Sequence, residues 1–282
     1  MKFRYYFFKE KDRVYDKAEL LTYLEAQPFM TLEQDGAIKV AKYHNTIINM
    51  DASFILNTKS IVPNIQRLNP AFLDLNIYVE FDILNNTYKV CKIIDMIEVI
   101  CKRFNFSVYN EYFEDVSQFK RQLLVNTFEL VKLGYKKKYE EEFMAYSKLN
   151  KESLDYIYSF LEIKDQIQNI ENYQILNYVF LREKETRSVY IGIDLDITKP
   201  FVIPPCAQLV RLTLNDEVRI VSYQELKKKI SKYLTMVDAR IFDTLMVEEK
   251  NFRKVKKIIS KLKLDEVKVE LKEVPFAQVL DL

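Results

Sequence analysis

Asn76-Ile77-Tyr78-Val79-Glu80-Phe81-Asp82-Ile83-Leu84-Asn85-Asn86-Thr87 passes within twelve residues from a strand pattern to a helix start. Residues 76–83 are rich in β-branched and aromatic side chains and run into Asn85-Asn86, which reads as a strand and its exit turn. Val90, Ile93, Ile94, Ile97, Ile100, Cys101 and Phe104 follow. Their i, i+3, i+4, i+7 spacing gives a helix one apolar face. Phe106, Val108, Tyr109 and Tyr112 then return to extended structure. This strand–helix–strand unit sets the class as α+β, and the rest of the chain extends it into two mixed or antiparallel-sheet halves joined by a helical segment.

Upstream, residues 3–8 read as a short aromatic strand. Asp16 and Glu19 form a capping-box pattern for a helix over 16–26, with Ala18, Leu21 and Leu24 inward and Pro28 beyond its end. Residues 29–57 hold two or three strands with a turn at Gln34-Asp35-Gly36, and 58–74, with Pro63 and Pro70, reads as loop. Downstream, 115–168 is mostly helical: 116–133, a break at Gly134, then 136–149 and 151–168. Opposite charges at i,i+4 in 136–142 suit a solvated helix surface. The domain expectation is therefore 1–114, a connector 115–170, and 171–282. The last part opens with a hairpin, 173–181 and 188–197, passes a connector with Pro200, Pro204 and Pro205, and makes a second hairpin around Asn215-Asp216. Ser222 and Glu225 form another capping-box pattern for a helix to about 234. A helix over 247–263 and a half-exposed strand over 266–272 complete the reading.

Composition excludes more than it assigns. Apolar residues make up 49% of 282, a globular balance. Gly36, Gly134 and Gly192 are the only glycines. A phosphate-cradling loop or dinucleotide fingerprint needs two or three glycines close together, so Walker-type NTPases, Rossmann dehydrogenases, Gly-rich-loop kinases and GxSxG hydrolases are disfavoured. The single histidine, His44, sits in a polar Lys-Tyr-His-Asn stretch that reads as a turn, which argues against a His-based triad. Cys91, Cys101 and Cys206 are an odd number without CxxC spacing, and the first two fall on the apolar helical stripe, so they read as small buried hydrophobes. The bias toward Ile, Lys, Asn, Tyr and Phe is that of an AT-rich genome, bacterial, parasite or phage, and part of the lysine content follows from it. No apolar run reaches the roughly 18–20 residues that span a bilayer. The chain is expected to be soluble and cytoplasmic, without a membrane partner.

Three constellations carry chemistry. Val189-Tyr190-Ile191-Gly192-Ile193-Asp194-Leu195-Asp196 places two carboxylates on one strand face, where Asp194 and Asp196 could hold Mg²⁺ and position a phosphate. This apolar strand ending in DxD resembles the first motif of archaeo-eukaryotic primases and, more loosely, of nucleotidyltransferases. The resemblance covers residues 189–196; no histidine follows Asp196 as the primase pattern requires, and 180–188 lacks the Gly-Ser turn of nucleotidyltransferases. Alternation on a half-buried strand accounts for the same residues. Glu80 and Asp82 repeat the i,i+2 relation, and the two pairs together would make a four-carboxylate metal site. The third constellation is basic: Arg253, Lys254, Lys256, Lys257 and Lys261, with Lys263, surround a Val255, Ile258, Ile259, Leu262 stripe. It suits contact with phosphates.

Tyr5-Tyr6-Phe7-Phe8 and Tyr109, Tyr112 and Phe113 read first as strand and core packing, with an interface as the alternative because they flank charged loops; the apolar tail over 274–282 reads as packed against this chain or a partner. The leading expectation is a non-catalytic scaffold or assembly component that binds a protein partner or a second copy, with no cofactor. The alternatives are a Mg²⁺-dependent nucleic-acid or nucleotide enzyme using Asp194 and Asp196, and a nucleic-acid-binding module without chemistry. Gly192, inside a strand beside Asp194, marks a place where a ligand or another backbone can approach closely.

Overall fold

The aromatic run near the N-terminus becomes the strand around which the first half is built. The computed structural model describes residues 1–167, 172–214, 217–237, 242–262 and 265–281. The chain divides into two compact units, Met1–Glu140 and Glu141–Leu282, each of α+β construction.

The first unit contains β1 (Lys2–Glu10), α1 (Lys17–Glu25), β2 (Met30–Asp35), β3 (Ile38–Asn45), β4 (Met50–Leu56), β5 (Phe72–Asp82), α2 (Thr87–Phe104), β6 (Ser107–Tyr109), β7 (Ser117–Gln118) and α3 (Arg121–Lys138). Its strands form one sheet in the order β2-β3-β4-β5-β1-β6-β7. Because β1 pairs antiparallel with both β5 and β6, those two run parallel to each other with β1 between them. Parallel strands need a crossover, and α2 supplies it, giving a split βαβ unit.

Both faces of β1 are covered. Phe3 packs edge-to-face on Phe128 of α3, while Tyr6 and Phe8 on the other face join Val62, Tyr78 and Tyr109. A strand buried on both sides reads as a continuous apolar run, and Tyr5, Tyr6, Phe7 and Phe8 are all buried. They are core, not interface. The stretch taken as pure loop supplies Val62 and Leu68 to that cover and turns into β5 at Phe72.

α2 buries Val90, Ile93, Ile94, Ile97, Ile100 and Cys101, the stripe read from the sequence. In α1 the Asp16 carboxylate accepts a hydrogen bond from the Ala18 amide at 2.7 Å; its buried residues are Leu20 and Leu24, and Ala18 is exposed. α3 does not break at Gly134 but runs on to Lys138. One glycine costs about 1 kcal/mol in a helix, too little to stop one anchored by buried Leu124, Val125 and Phe128.

The second unit contains β8 (Ser147–Lys148), α5 (Lys151–Ile163), β9 (Gln174–Ile175), β10 (Tyr178–Glu183), β11 (Val189–Asp196), β12 (Phe201–Ile203), β13 (Leu209–Leu214), β14 (Glu217–Ser222), α6 (Tyr223–Ile230), β15 (Leu234–Met236), β16 (Leu245–Val247), α7 (Glu249–Ile259), β17 (Leu271–Val274) and β18 (Val279–Leu280); α4 (Glu140–Phe143) lies at the division. The helix expected over 136–149 is therefore the end of α3 and the short α4, followed by β8. A mixed sheet runs β14-β13-β11-β10-β17, a smaller one β15-β16-β12-β9, and β18 pairs with β8. Only β11–β13 is parallel in the larger sheet. The turn expected at Asn215-Asp216, like Lys263, falls outside the described residues. The last long strand is displaced from 266–272 to Leu271–Val274, and Ser222 at the start of α6 makes no side-chain capping bond.

The apolar tail is accounted for internally. Val279 and Leu280 are buried and pair in parallel with Ser147 and Lys148. The Phe276 ring stacks on Phe180 at 4.6 Å and on Tyr158 at 5.0 Å. No helix among the described residues is long and apolar enough to cross a membrane.

Candidate functional site

β11 places Asp194 opposite Arg211 of its parallel neighbour β13. Arg211 Nε and Nη2 donate to Asp194 Oδ1 at 2.5 Å and Oδ2 at 2.7 Å, and Arg211 Nη1 donates to Glu273 Oε2 at 2.5 Å. The hydrogen bonds that Arg211 donates to Asp194 are the largest influence raising the guanidinium above its usual value. A two-pronged arginine pair satisfies both carboxylate oxygens, so this carboxylate is held by protein. Asp196, at the end of the strand, is exposed. On the opposite face Ile193, Leu195 and Ile197 enter the main apolar cluster of the unit.

Glu80 and Asp82 are likewise engaged. Glu80 Oε2 accepts from Arg4 Nε at 2.9 Å on the adjacent strand, and Asp82 Oδ1 accepts from the Leu84 amide at 2.8 Å in the turn toward α2. Glu80 and Asp82 belong to the first unit and Asp194 and Asp196 to the second, and no three His, Cys, Asp or Glu among the described residues are grouped to hold a metal ion.

Gly192 is explained by its neighbours in the sheet. A Cβ there would come 2.8 Å from Val179 Cγ2, 3.2 Å from Val179 O and 3.3 Å from Leu181 Cδ1. The approaching group is β10, paired to β11 through Val179↔Gly192, and no ligand is needed to account for it.

His44 lies in β3, not in a turn, with Nδ1 2.6 Å from Asp51 Oδ1 across the β3–β4 pair. All three cysteines are free, and burial pushes the Cys101 thiol up to about 12, the opposite of a reactive thiolate.

Two surfaces are left. The first lies on α3. A groove of about 430 Å³ is lined by Thr127, Leu130, Val131, Gly134, Tyr135 and Lys138 of that helix, with Met1, Tyr112 and Tyr139 around it. These α3 positions follow helical spacing. Leu130 is 68% exposed, Tyr112 58% and Leu133 50%. Gly134 lines the groove with nothing within 4 Å of the place a Cβ would occupy. Of the aromatics picked out from the sequence, only Tyr112 is exposed; Tyr109 is buried and Phe113 half-buried. The leucines of α3 were not picked out, and the signal was present: Leu130 and Leu133 interrupt what is otherwise a polar outer face.

The second surface is α7. Val255 and Ile259 face inward, and Arg253, Lys254, Lys256, Lys257 and Lys261 are all exposed. The structure thus brings the basic residues together on one face, with the stripe read from the sequence beneath them.

No protein family, curated protein or solved structure matches this chain.

Proposed function

We propose that this α+β protein is a cytoplasmic, non-catalytic binding component, a scaffold or assembly part, and that the α3 groove receives an amphipathic helix of a protein partner. Gly134 carries the reading. The backbone requires Gly36 by its positive φ of 58° and Gly192 by the crowding of β10, while nothing around Gly134 calls for a glycine. A glycine inside an 18-residue helix gives up about 0.5–1 kcal/mol relative to alanine, and its effect is to leave the groove open where a partner backbone can come close. Tyr112 and Tyr139 are exposed around it beside Leu130, and tyrosine is a residue type enriched at interface cores. Lys136, Lys137 and Lys138 in the last turn of α3 select a partner helix with acidic residues beside its apolar stripe. The pairing of Asp194 with Arg211 favours a binding role over the Mg²⁺-enzyme reading. Three free cysteines suit a reducing compartment.

The test is capture from the native source by full-length wild type, Gly134→Trp and Leu130→Glu. A partner held by wild type and lost from both variants, with its bound segment mapped by cross-linking to a helix, is the expected result. Equal capture by all three overturns the groove as the docking surface, and self-association of the purified chain, lost in the same variants, replaces the partner with a second copy. Turnover of a nucleotide or nucleic-acid substrate that Asp194→Asn abolishes in a folded protein overturns the non-catalytic reading.

A further inference from the structure

α6 and α7 pack against each other, and their inward residues fix how both helices are turned. Leu226 and Ile230 of α6 and Val255 and Ile259 of α7 share one buried cluster with Ile193 of β11 and Val210 of β13. What remains outside is mainly cationic. Arg253, Lys254, Lys256, Lys257 and Lys261 are exposed on or just beyond α7, and Lys228, Lys229 and Lys232 on or just beyond α6. None of these forms an ion pair with a described residue, whereas Lys227 and Lys250 of the same helices pair with Asp243 and Glu248. The acids of the two helices, Glu225, Glu248 and Glu249, stand at their N-terminal ends. No acid occurs from 250 to 262. Like charges held on a rigid face repel one another, and a polyanion relieves that cost.

The surroundings select among polyanions. A helix that docks on a bilayer inserts its apolar face, but Val255 and Ile259 of α7 are fully buried in the protein core. Single-stranded nucleic acid is held by stacking on exposed aromatics. α6 and α7 expose none: Tyr223 is buried and Phe252 half-buried. A duplex backbone needs only fixed cations. We infer that the α6–α7 face binds the phosphate backbone of a nucleic-acid duplex without reading its bases. This rests on different residues from the α3 groove, and either can fail without the other.

The experiment is fluorescence anisotropy of a labelled 24-base-pair DNA duplex titrated with the full chain over a salt series. About five phosphate contacts give a slope of log K against log salt near −4.5, a loss of roughly 500-fold between 50 and 200 mM. Lys254→Gln/Lys256→Gln/Lys257→Gln, all at exposed positions, is expected to melt with the wild type and to bring the slope to about −2. No binding at 50 mM salt, or a slope the variant does not change, overturns the proposal. So does equal or tighter binding of a single strand of the same length, or of vesicles of phosphatidylserine and phosphatidylcholine.

Discussion

In the first unit, α3 leaves Leu130 and Leu133 in solvent beside an apolar groove; in the second, α7 past Glu249 in its first turn leaves no large apolar residue exposed and a row of cations outside. Both helices are anchored by the same 3-and-4 spacing of apolar residues, and both belong to α+β units. The difference lies wholly in the outward positions, which the fold does not need. Outward leucines suit recognition by shape and apolar area, with little dependence on salt. Outward lysines suit recognition by charge, which salt weakens. One chain thus carries two surfaces of different chemistry on two separate units.

The largest effect that probes this division lies under α3. Phe128 is fully buried, packed edge-to-face on Phe3 at 5.6 Å. Phe128→Ala is expected to cost about 3–5 kcal/mol in urea unfolding. Leu130→Asp, two residues on, is expected to change stability by no more than about 0.5 kcal/mol. Comparable losses for both would show that Leu130 supports the fold and would remove it from the groove argument.

The first unit also buries a charge-bearing group, where α7 keeps all of its own outside. Lys89 of α2 is 8% exposed and donates from Nζ to Asn49 O at 2.8 Å. Burial lowers its pKa to about 8. The unfolded chain holds the proton up to about 10.5, so between these values unfolding takes up a proton and stability rises with pH. The penalty is full below about 8 and relieved toward 10.5. Lys89→Met removes the titration. Raising the pH from 7 to 10 is expected to stabilise wild type relative to this variant by about 2 kcal/mol. A difference that stays constant with pH would mean that Lys89 keeps its charge in the fold.

Next in size is the second unit's glycine. Gly192→Ala places a methyl 2.8 Å from a β-branched side chain and 3.2 Å from a backbone oxygen. Neither yields easily, and a loss of about 1 kcal/mol or more is expected by chemical denaturation. An unchanged midpoint would reopen the space beside Asp194.

How far these features could be read from sequence follows from the kind of order that makes each. The α2 stripe was legible because helical periodicity is local. So was β11, whose alternation separates Asp194 from Ile193. The run Tyr5 to Phe8 was legible as a core strand, but what covers it was not: a strand covered on both faces has no alternation, and its second cover comes from 58–71, far along the chain. For the apolar tail, docking on this chain or on a partner was legible but the choice between them was not, because Ser147, Tyr158 and Phe180 are distant in sequence. At the sites, the carboxylate pairs were visible but their neutralisers were not. Arg211 meets Asp194 only because β11 and β13 are parallel and in register, and a sequence does not state register. Arg253, Lys254, Lys256 and Lys257 were legible together because they lie on one helix, with Lys261 just beyond its end. The α3 groove was not, because Met1 and Tyr112 come to it from elsewhere in the unit.

The smallest effect is the one that separates structure from function most cleanly. Gly134→Ala meets no neighbour within 4 Å, and its backbone is ordinary helix. Alanine there restricts the unfolded chain and improves helix propensity, so a gain of about 0.5–1 kcal/mol is expected in urea unfolding. Gly192→Ala, the same chemical change in the other unit, is expected to act in the opposite direction, and one set of denaturation curves reads both. Where the groove over Gly134 receives a partner, as proposed, a methyl there takes up space the partner needs. Partner affinity measured on the same Gly134→Ala protein should therefore fall while its stability rises. A variant that is both more stable and unimpaired in binding would leave Gly134 without a role in recognition, and the α3 groove would lose its strongest support.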